Sequence, residues 1–267
     1  MALLDAALIL LAAVGAGAMN AVVGAGTLIT FPTLLALGFP PVVANVSNTV
    51  GLVPGSVAGA YAYRATLSGR APLLRRLVVV SGIGGVLGGA LLLALPPGAF
   101  ELVVPPLLVL SGVLAAIQPR VAAWVVRRRA AAAPAIPAAE SPPTATPALL
   151  HVSPLLLAGV AATGVYGGYF GAAQGVILLA ILGVFVGGAM NDVNGIKNVL
   201  AGVANLVSAA LFIAIADVDW SVAGLVAVGA TIGGGLGGRY GRRLHPGPLR
   251  ALVVTVAFVA AGWQLAT

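Results

Sequence analysis

Long apolar runs, separated by short polar or basic stretches, follow one another along the whole chain. Ten of them are evident, at about residues 3–23, 27–37, 42–63, 77–95, 100–117, 155–170, 175–186, 193–216, 222–238 and 249–265. A helix that crosses a bilayer needs roughly 20 mostly apolar residues. The pattern therefore predicts an all-α polytopic membrane protein with roughly eight to ten transmembrane or re-entrant helices, some of them interrupted by glycine.

The second half of the chain repeats the first. Three matches carry the repeat: GAGTL (24–28) with GAAQG (171–175), GIGGVLGG (82–89) with TIGGGLGG (231–238), and Asn48 with Asn198. The stretch between the halves, RRRAAAAPAIPAAESPPTATPA, is basic and then rich in Pro and Ala, a composition typical of disorder. We divide the chain into a first transmembrane repeat at 1–118, a disordered cytoplasmic linker at 119–150 and a second transmembrane repeat at 151–267.

Arginine positions predict how the two repeats are oriented. Three clusters mark cytoplasmic loops, namely Arg64, Arg70, Arg75 and Arg76, then Arg120, Arg127, Arg128 and Arg129, then Arg239, Arg242, Arg243 and Arg250. The acidic loop with Asp217 and Asp219 then lies outside, although its counterpart at 64–76 lies inside. We therefore predict inverted repeats with both chain ends outside. Each half has five crossings, or three if its first pair of segments is a re-entrant hairpin.

The amino-acid composition excludes several classes of protein. Only 7% of the residues are charged and 60% are hydrophobic, and the mean hydropathy is +1.11, which excludes a water-soluble domain. The net charge of +7 resides in the loop arginines and aromatic residues are few, so nucleic-acid binding is not expected. With no cysteine and only two distant histidines, we expect no metal site, no cofactor and no enzyme activity.

The glycine clusters at the start of each half are candidates for anion binding. A cluster that frees backbone amides just before a helix begins suits a negative charge, because helix N-termini carry unpaired N–H donors and partial positive charge. The first candidate cradle includes Gly24, Gly26 and Thr27, and the second includes Gly171, Gln174 and Gly175. Close helix packing is an equally good explanation, because small residues dominate helix contacts in lipid.

Polar residues recur at helical spacing inside two apolar segments. In the second half they are Asn191, Asn194, Asn198 and Asn205, and in the first half Asn45, Asn48, Thr49 and Ser56. Each set follows one face of a helix. Asn and Ser also join helices by hydrogen bonds, but two matched stripes favour a polar pathway across the membrane.

Lys197 is the sharpest single candidate, because it is the only basic residue well inside a predicted apolar segment. A charge within the membrane is costly and by default functional. It either attracts the anionic substrate or pairs with Asp192. The second option has poor geometry on a straight helix, since residues five apart point in different directions.

These motifs resemble the TauE/SafE sulfite-exporter family of membrane transporters. The similarity is carried by the repeated G-x-G, by Pro32 and Leu34, and in the second half by YGGYFGAAQGVILLA (166–180), GIKNVLAGVANLVSA (195–209) and Asp219-Trp220. The chain departs from the family pattern in GAGT, in the pair Ser47-Asn48 and at Ala173, which replaces a glycine. The resemblance implies transport of small sulfur-containing or other organic anions. It implies these candidate site positions: Gly24, Gly26, Gly171, Gly175, Ser47, Asn48, Lys197 and Asn198.

We therefore expect a multi-pass protein of the cell membrane that transports a small anion, such as sulfite or sulfoacetate, by alternating access between inverted repeats. A passive anion channel, a carrier of an unrelated organic carboxylate and a membrane scaffold subunit are the alternatives. The expected partners are the small anionic substrate and the lipid bilayer. The sequence leaves open whether a proton or sodium is the coupling ion, and whether the protein is a homodimer.

Overall fold

The structure is a computed structural model that describes residues 1–132, 153–186, 189–240 and 246–266, and this part of the chain is helical and contains no strand. The first half forms α1 (Leu3–Val22), α2 (Thr27–Ala36), α3 (Pro41–Ala62), a 3₁₀ helix (Arg64–Leu67), α4 (Ala71–Ala94) and α5 (Pro97–Ala132). The second half forms α6 (Pro154–Tyr169), α7 (Gln174–Phe185), α8 (Met190–Ile215), α9 (Trp220–Tyr240) and α10 (Pro246–Ala266). The all-helical prediction is confirmed.

Five described helices, α1, α4, α5, α8 and α9, are long and apolar enough to cross a membrane. The apolar helices α2 and α7 have only 10 and 12 residues. At 1.5 Å per residue they extend about 15 and 18 Å, roughly half the thickness of a hydrocarbon core. These two helices correspond to the short runs that follow the glycine clusters.

Helix α5 corrects the predicted boundary of the linker. It continues through Ala132, so residues 119–132 are helical, although the sequence assigns them to the disordered linker. The reason is local, because this stretch is rich in Ala, Val and Arg, and Ala and Arg in particular favour helices. The rest of the predicted linker, residues 133–150, lies outside the described residues, as do Arg242 and Arg243 of the third arginine cluster.

Each short helix folds back on the helix before it. In the first half, a Cβ on Gly15 of α1 would lie 3.6 Å from the Cδ1 atom of Ile29 in α2. In the second, a Cβ on Gly159 of α6 would lie 3.0 Å from Cδ1 of Ile181 in α7, and Gln174 at the start of α7 packs on Gly167 near the end of α6. We call α1 with α2 hairpin 1, and α6 with α7 hairpin 2.

The two halves interlock through their glycine-rich helices. Helix α9 packs along α1, and helix α4 packs along α6, so each hairpin lies against the fourth helix of the other half. The runs GIGGVLGG and TIGGGLGG provide these contacts, because a Cβ on Gly88 would overlap the backbone of α6 and one on Gly233 would overlap that of α1. These runs are therefore tight packing surfaces between the two halves.

Helices α3 and α8, which carry the polar stripes, pack against each other in opposite directions. The 3₁₀ helix that follows α3 contacts the start of α8, where Thr66 Oγ1 donates to Asn191 O at 3.5 Å. At the other end, the backbone N–H of Asp219, just after α8, donates to Ser47 Oγ near the start of α3 at 2.8 Å. The two stripes therefore run side by side in antiparallel fashion.

Candidate functional site

The glycine tips of the two hairpins contact each other. Gly24 adopts a φ of +84°, which reverses the chain after α1 and which only glycine adopts without strain. Its carbonyl oxygen accepts a hydrogen bond from the N–H of Gly175 at 3.0 Å. A Cβ on either glycine would overlap the backbone of the other, so both positions require glycine. The two predicted cradles are thus parts of one buried junction.

Hairpin 2 reverses through a longer left-handed turn. Gly171 has a φ of +74° and Ala173 a φ of +59°, and Ala173 is the only non-glycine residue with a positive φ in the described chain. An alanine in this conformation carries strain of about 1–2 kcal/mol. The resemblance implies a glycine at this position, and the positive φ would give such a preference a physical reason.

Lys197 reaches this junction from α8. Its side chain is 0% exposed, and its ammonium group donates to the carbonyl oxygens of Asn20 and Ala21, each at 3.3 Å. These carbonyls lie in the last turn of α1, where a helix leaves acceptors without partners and carries partial negative charge. The lysine therefore stabilises the end of α1 beside the tip of hairpin 1.

Asn198 adds a second contact to the end of α1, because its Nδ2 atom donates to Ala21 O at 3.1 Å. Asn20 Nδ2 donates in turn to Ser56 Oγ of α3 at 3.3 Å. The two polar stripes and the first hairpin therefore meet at one point. Asn20 was not among the sequence candidates, although a polar residue four positions before Gly24 in an apolar run is a usable signal.

The first-half candidates lie in the first turns of α3. Asn45 Nδ2 donates to Tyr169 O at 3.0 Å, and Ser47 Oγ accepts from the loop before α9. Asn48 is 0% exposed, and neither atom of its amide has a hydrogen-bond partner within the described chain. The amide oxygen of Asn45 likewise has no hydrogen-bond partner among the described residues.

The remaining candidates have varied surroundings. Gln174 turns back along α6, where its Nε2 atom donates to Thr163 O at 3.3 Å. Gly26 packs on α1, since a Cβ there would overlap Ala16 O. Thr27 is buried in the first turn of α2, and Asn194 has an amide oxygen without a partner among the described residues. Packing thus accounts for Gly26 and Gln174.

A hydroxyl pair that the sequence analysis missed holds the tip of hairpin 2. Tyr166 Oη lies 2.5 Å and Ser111 Oγ 3.1 Å from Ala172 O, and the two hydroxyls are 2.7 Å apart. Ser111 comes from α5, so this helix fixes the turn from outside the hairpin. No spacing in the sequence connects residues that are this far apart in the chain.

Asp192 forms an ion pair with Arg70, whose Nη2 atom lies 2.8 Å from Asp192 Oδ2. The pairing of Asp192 with Lys197, which the sequence leaves open, is therefore absent from the structure. The ion pair joins the start of α8 to the residue just before α4. The described residues contain no group of three His, Cys, Asp or Glu that could hold a metal.

Comparison with known proteins agrees with the motifs. The profile of the family described as Sulfite exporter TauE/SafE matches residues 9–263. A Haemophilus influenzae protein described as a probable membrane transporter protein is 26% identical over 247 residues, which cover 90% of this chain and 87% of that protein. No solved structure matches the chain at a significant level. The resemblance read from the two repeats is thus confirmed, and the chain belongs to the TauE/SafE family of multi-pass membrane transporters.

Proposed function

We propose that this transporter carries a small anion, either a sulfur oxyanion or an organosulfonate such as sulfite or sulfoacetate. The anion binds where the two hairpin tips meet, and Lys197 supplies the positive charge. The observation that carries the proposal is the complete burial of the Lys197 ammonium group without a carboxylate partner among the described residues.

The hydrogen bonds of Lys197 leave capacity for a ligand. An ammonium group has three donors, and two of them are directed at the carbonyls of Asn20 and Ala21. The third donor is available to an anionic oxygen. Asn198 shares the carbonyl of Ala21 with the lysine, and Asn194 lies about one helical turn before the lysine on α8.

The charge balance favours the same conclusion. A full positive charge inside a membrane protein is costly unless an opposite charge or a polar group compensates for it. Here the compensation comes from two neutral carbonyls, whose partial charge at a helix end is about half an elementary charge. A bound monoanion would complete the neutralisation, which gives the site a preference for negative ligands.

The junction of the hairpins suits alternating access. Binding sites of many secondary transporters lie where interrupted helices of two repeats meet, and rocking of one repeat against the other exposes the site to each side in turn. The antiparallel course of α3 and α8 and the exchanged packing of α1 on α9 and α4 on α6 support such a mechanism. We propose that the repeats are inverted, as the arginines predict.

Replacing Lys197 tests the site directly. We expect Lys197→Met to lower the rate of uptake of sulfite or sulfoacetate into proteoliposomes by about 10- to 100-fold, the loss expected for a charge-assisted hydrogen bond of roughly 1.5–3 kcal/mol. Arg75→Met is the matched control, because it removes the same charge from an exposed position and should transport normally. Normal uptake by the Lys197 variant, at equal reconstitution, would remove the lysine from the site.

Two further transport experiments identify the substrate class and the mechanism. Competition among sulfite, thiosulfate, sulfonates and carboxylates identifies the class of anion, and stronger inhibition by carboxylates would contradict the sulfur assignment. Counterflow separates a carrier from a channel, because anion on the far side accelerates exchange only in a carrier. Absence of this acceleration would favour the passive anion channel.

A further inference from the structure

The ends of α1 and α6 have the same backbone geometry. In α1, Met19 O accepts hydrogen bonds from the N–H groups of Val23 and Gly24, at 2.8 and 3.0 Å. In α6, Tyr166 O accepts from Phe170 and Gly171, both at 3.0 Å. Each helix therefore finishes in the same reversal, and each end points the negative pole of its dipole at the junction.

The side chains around the two ends are different. Asn198 matches Asn48 in the sequence repeat, so Lys197 matches Ser47. The end of α1 thus receives an ammonium group and an amide, whereas Ser47 is bonded to Asp219 N and the Asn48 amide has no partner among the described residues. Among the described residues, a side-chain positive charge is therefore bonded to the end of α1 but not to that of α6.

Two amides of α3, those of Asn45 and Asn48, have unsatisfied buried polar atoms. Asn45 must present its oxygen, because its nitrogen is committed to Tyr169 O, and the reversed assignment would bring two oxygens together. This oxygen is buried and without a partner in the described chain, and so are both amide atoms of Asn48, one helical turn further along, whose oxygen can therefore be turned toward a ligand. Two amide oxygens beside a helix C-terminus repel an anion and attract a cation.

We propose that a sodium ion binds here, with the amide oxygens of Asn45 and Asn48 as ligands. It provides for α6 the positive charge that Lys197 provides for α1. Neutral oxygen ligands without carboxylates suit a monovalent ion better than Ca²⁺ or Mg²⁺, which are usually held by carboxylates. Helix C-terminal ends hold sodium in other transporters with interrupted helices.

The sodium site would add a coupling ion to the proposed function. Its role in coupling rests on that proposed function, whereas the binding of sodium does not. An ion in this place would enter together with the anion and lower the electrostatic cost of bringing a negative charge to the junction. It also divides the polar candidates into two groups, with Lys197 and its neighbours on α8 for the anion and Asn45 and Asn48 on α3 for the cation.

Sodium binding to the purified full-length protein, without any transported anion, tests the inference. We expect saturable binding of radioactive sodium, and a higher thermal midpoint in sodium gluconate than in choline gluconate at equal ionic strength. Asn48→Leu should weaken sodium binding at least about tenfold, equivalent to the loss of one ligand worth roughly 1.4 kcal/mol. Asn48→Asp keeps an oxygen and should retain sodium binding, which separates ligand loss from misfolding.

The control is Ser81→Ala, which removes a buried hydroxyl bonded to Leu200 O, outside the site, and should bind sodium as the unaltered protein does. Absence of saturable binding, or equal binding by Asn48→Leu, would overturn the sodium site and indicate that water satisfies these amides. Because no anion is present, failure here leaves the Lys197 test of anion transport unaffected. Anion uptake that is independent of sodium would likewise overturn the coupling role alone.

Discussion

Helix α1 ends against a buried ammonium group, whereas helix α6, its counterpart in the second half, ends against neutral amides. The backbone hydrogen bonds that reverse the chain after each helix are nevertheless the same, and the two glycine tips contact each other. The repetition of this fold therefore resides in backbone reversals and glycine contacts. The chemistry resides in a few side chains that the two halves do not share.

This difference explains why two similar hairpins need not perform the same task. Lys197 has no basic counterpart in the first half, since Ser47 occupies the matched position and contacts the loop before α9. Asn48 keeps the residue type of Asn198 but lacks its carbonyl partner. Such an asymmetric pair of sites is what the proposed transport of an anion together with sodium would use.

The largest effect on stability is expected at the tip of hairpin 1. Gly24→Ala combines a positive φ, which costs about 1–2 kcal/mol, with overlap against the backbone at Gly175, which costs about 1–3 kcal/mol. We expect a loss of about 2–5 kcal/mol, measured by reversible denaturation in mixed micelles. Gly224→Ala is the control, because its Cβ meets nothing within 4 Å and an exposed helical alanine stabilises by about 0.5–1 kcal/mol. Equal stabilities for the two variants would refute the contact between the tips.

Hairpin 2 should tolerate the same change better. In Gly171→Ala the positive φ again costs about 1–2 kcal/mol, but the one close contact of the added Cβ would be with Gly167 O of its own hairpin, at 2.9 Å, while Asn205 Oδ1 of α8 lies at an ordinary 3.8 Å. We expect a loss of about 2 kcal/mol in the same denaturation assay. A loss that exceeds that of Gly24→Ala would reverse the comparison and place the tighter constraint on hairpin 2.

Local patterns were sufficient to predict the helices and the glycine breaks. The apolar runs predicted the ten α-helices of the described chain, most within a few residues, because lipid requires uninterrupted apolar segments whose backbone groups are satisfied internally. The main errors were at the start of α4 and at the C-terminal end of α5, where basic and Ala-rich residues extend the helix beyond its apolar run. Loop charge predicts topology, but it carries no information on where a helix stops.

The site was predictable only in part. Lys197 stood out because a charge inside an apolar run is rare, and the asparagine stripes stood out by their spacing. Their partners could not be inferred, because Asn20 and Ala21 are bound through backbone carbonyls that every residue possesses. The hydroxyl pair of Ser111 and Tyr166 could not be inferred either, since it depends on how α5 packs against hairpin 2.

The smallest effect is expected at the ion pair between Arg70 and Asp192, which lies away from the junction of the tips. Both side chains are about one-fifth exposed, so the surrounding solvent weakens their attraction. A double-mutant cycle with Arg70→Gln and Asp192→Asn should give a coupling energy of about 0.2–1 kcal/mol. The cycle is needed because Asp192 also accepts from the N–H of Ala189 at the start of α8, so the single Asp192 variant loses more than the ion pair.

Anion uptake by the double variant should stay close to normal, since neither side chain reaches Lys197. Loss of uptake without loss of stability would mean that the start of α8 takes part in transport, and that the functional asymmetry extends beyond the ends of α1 and α6.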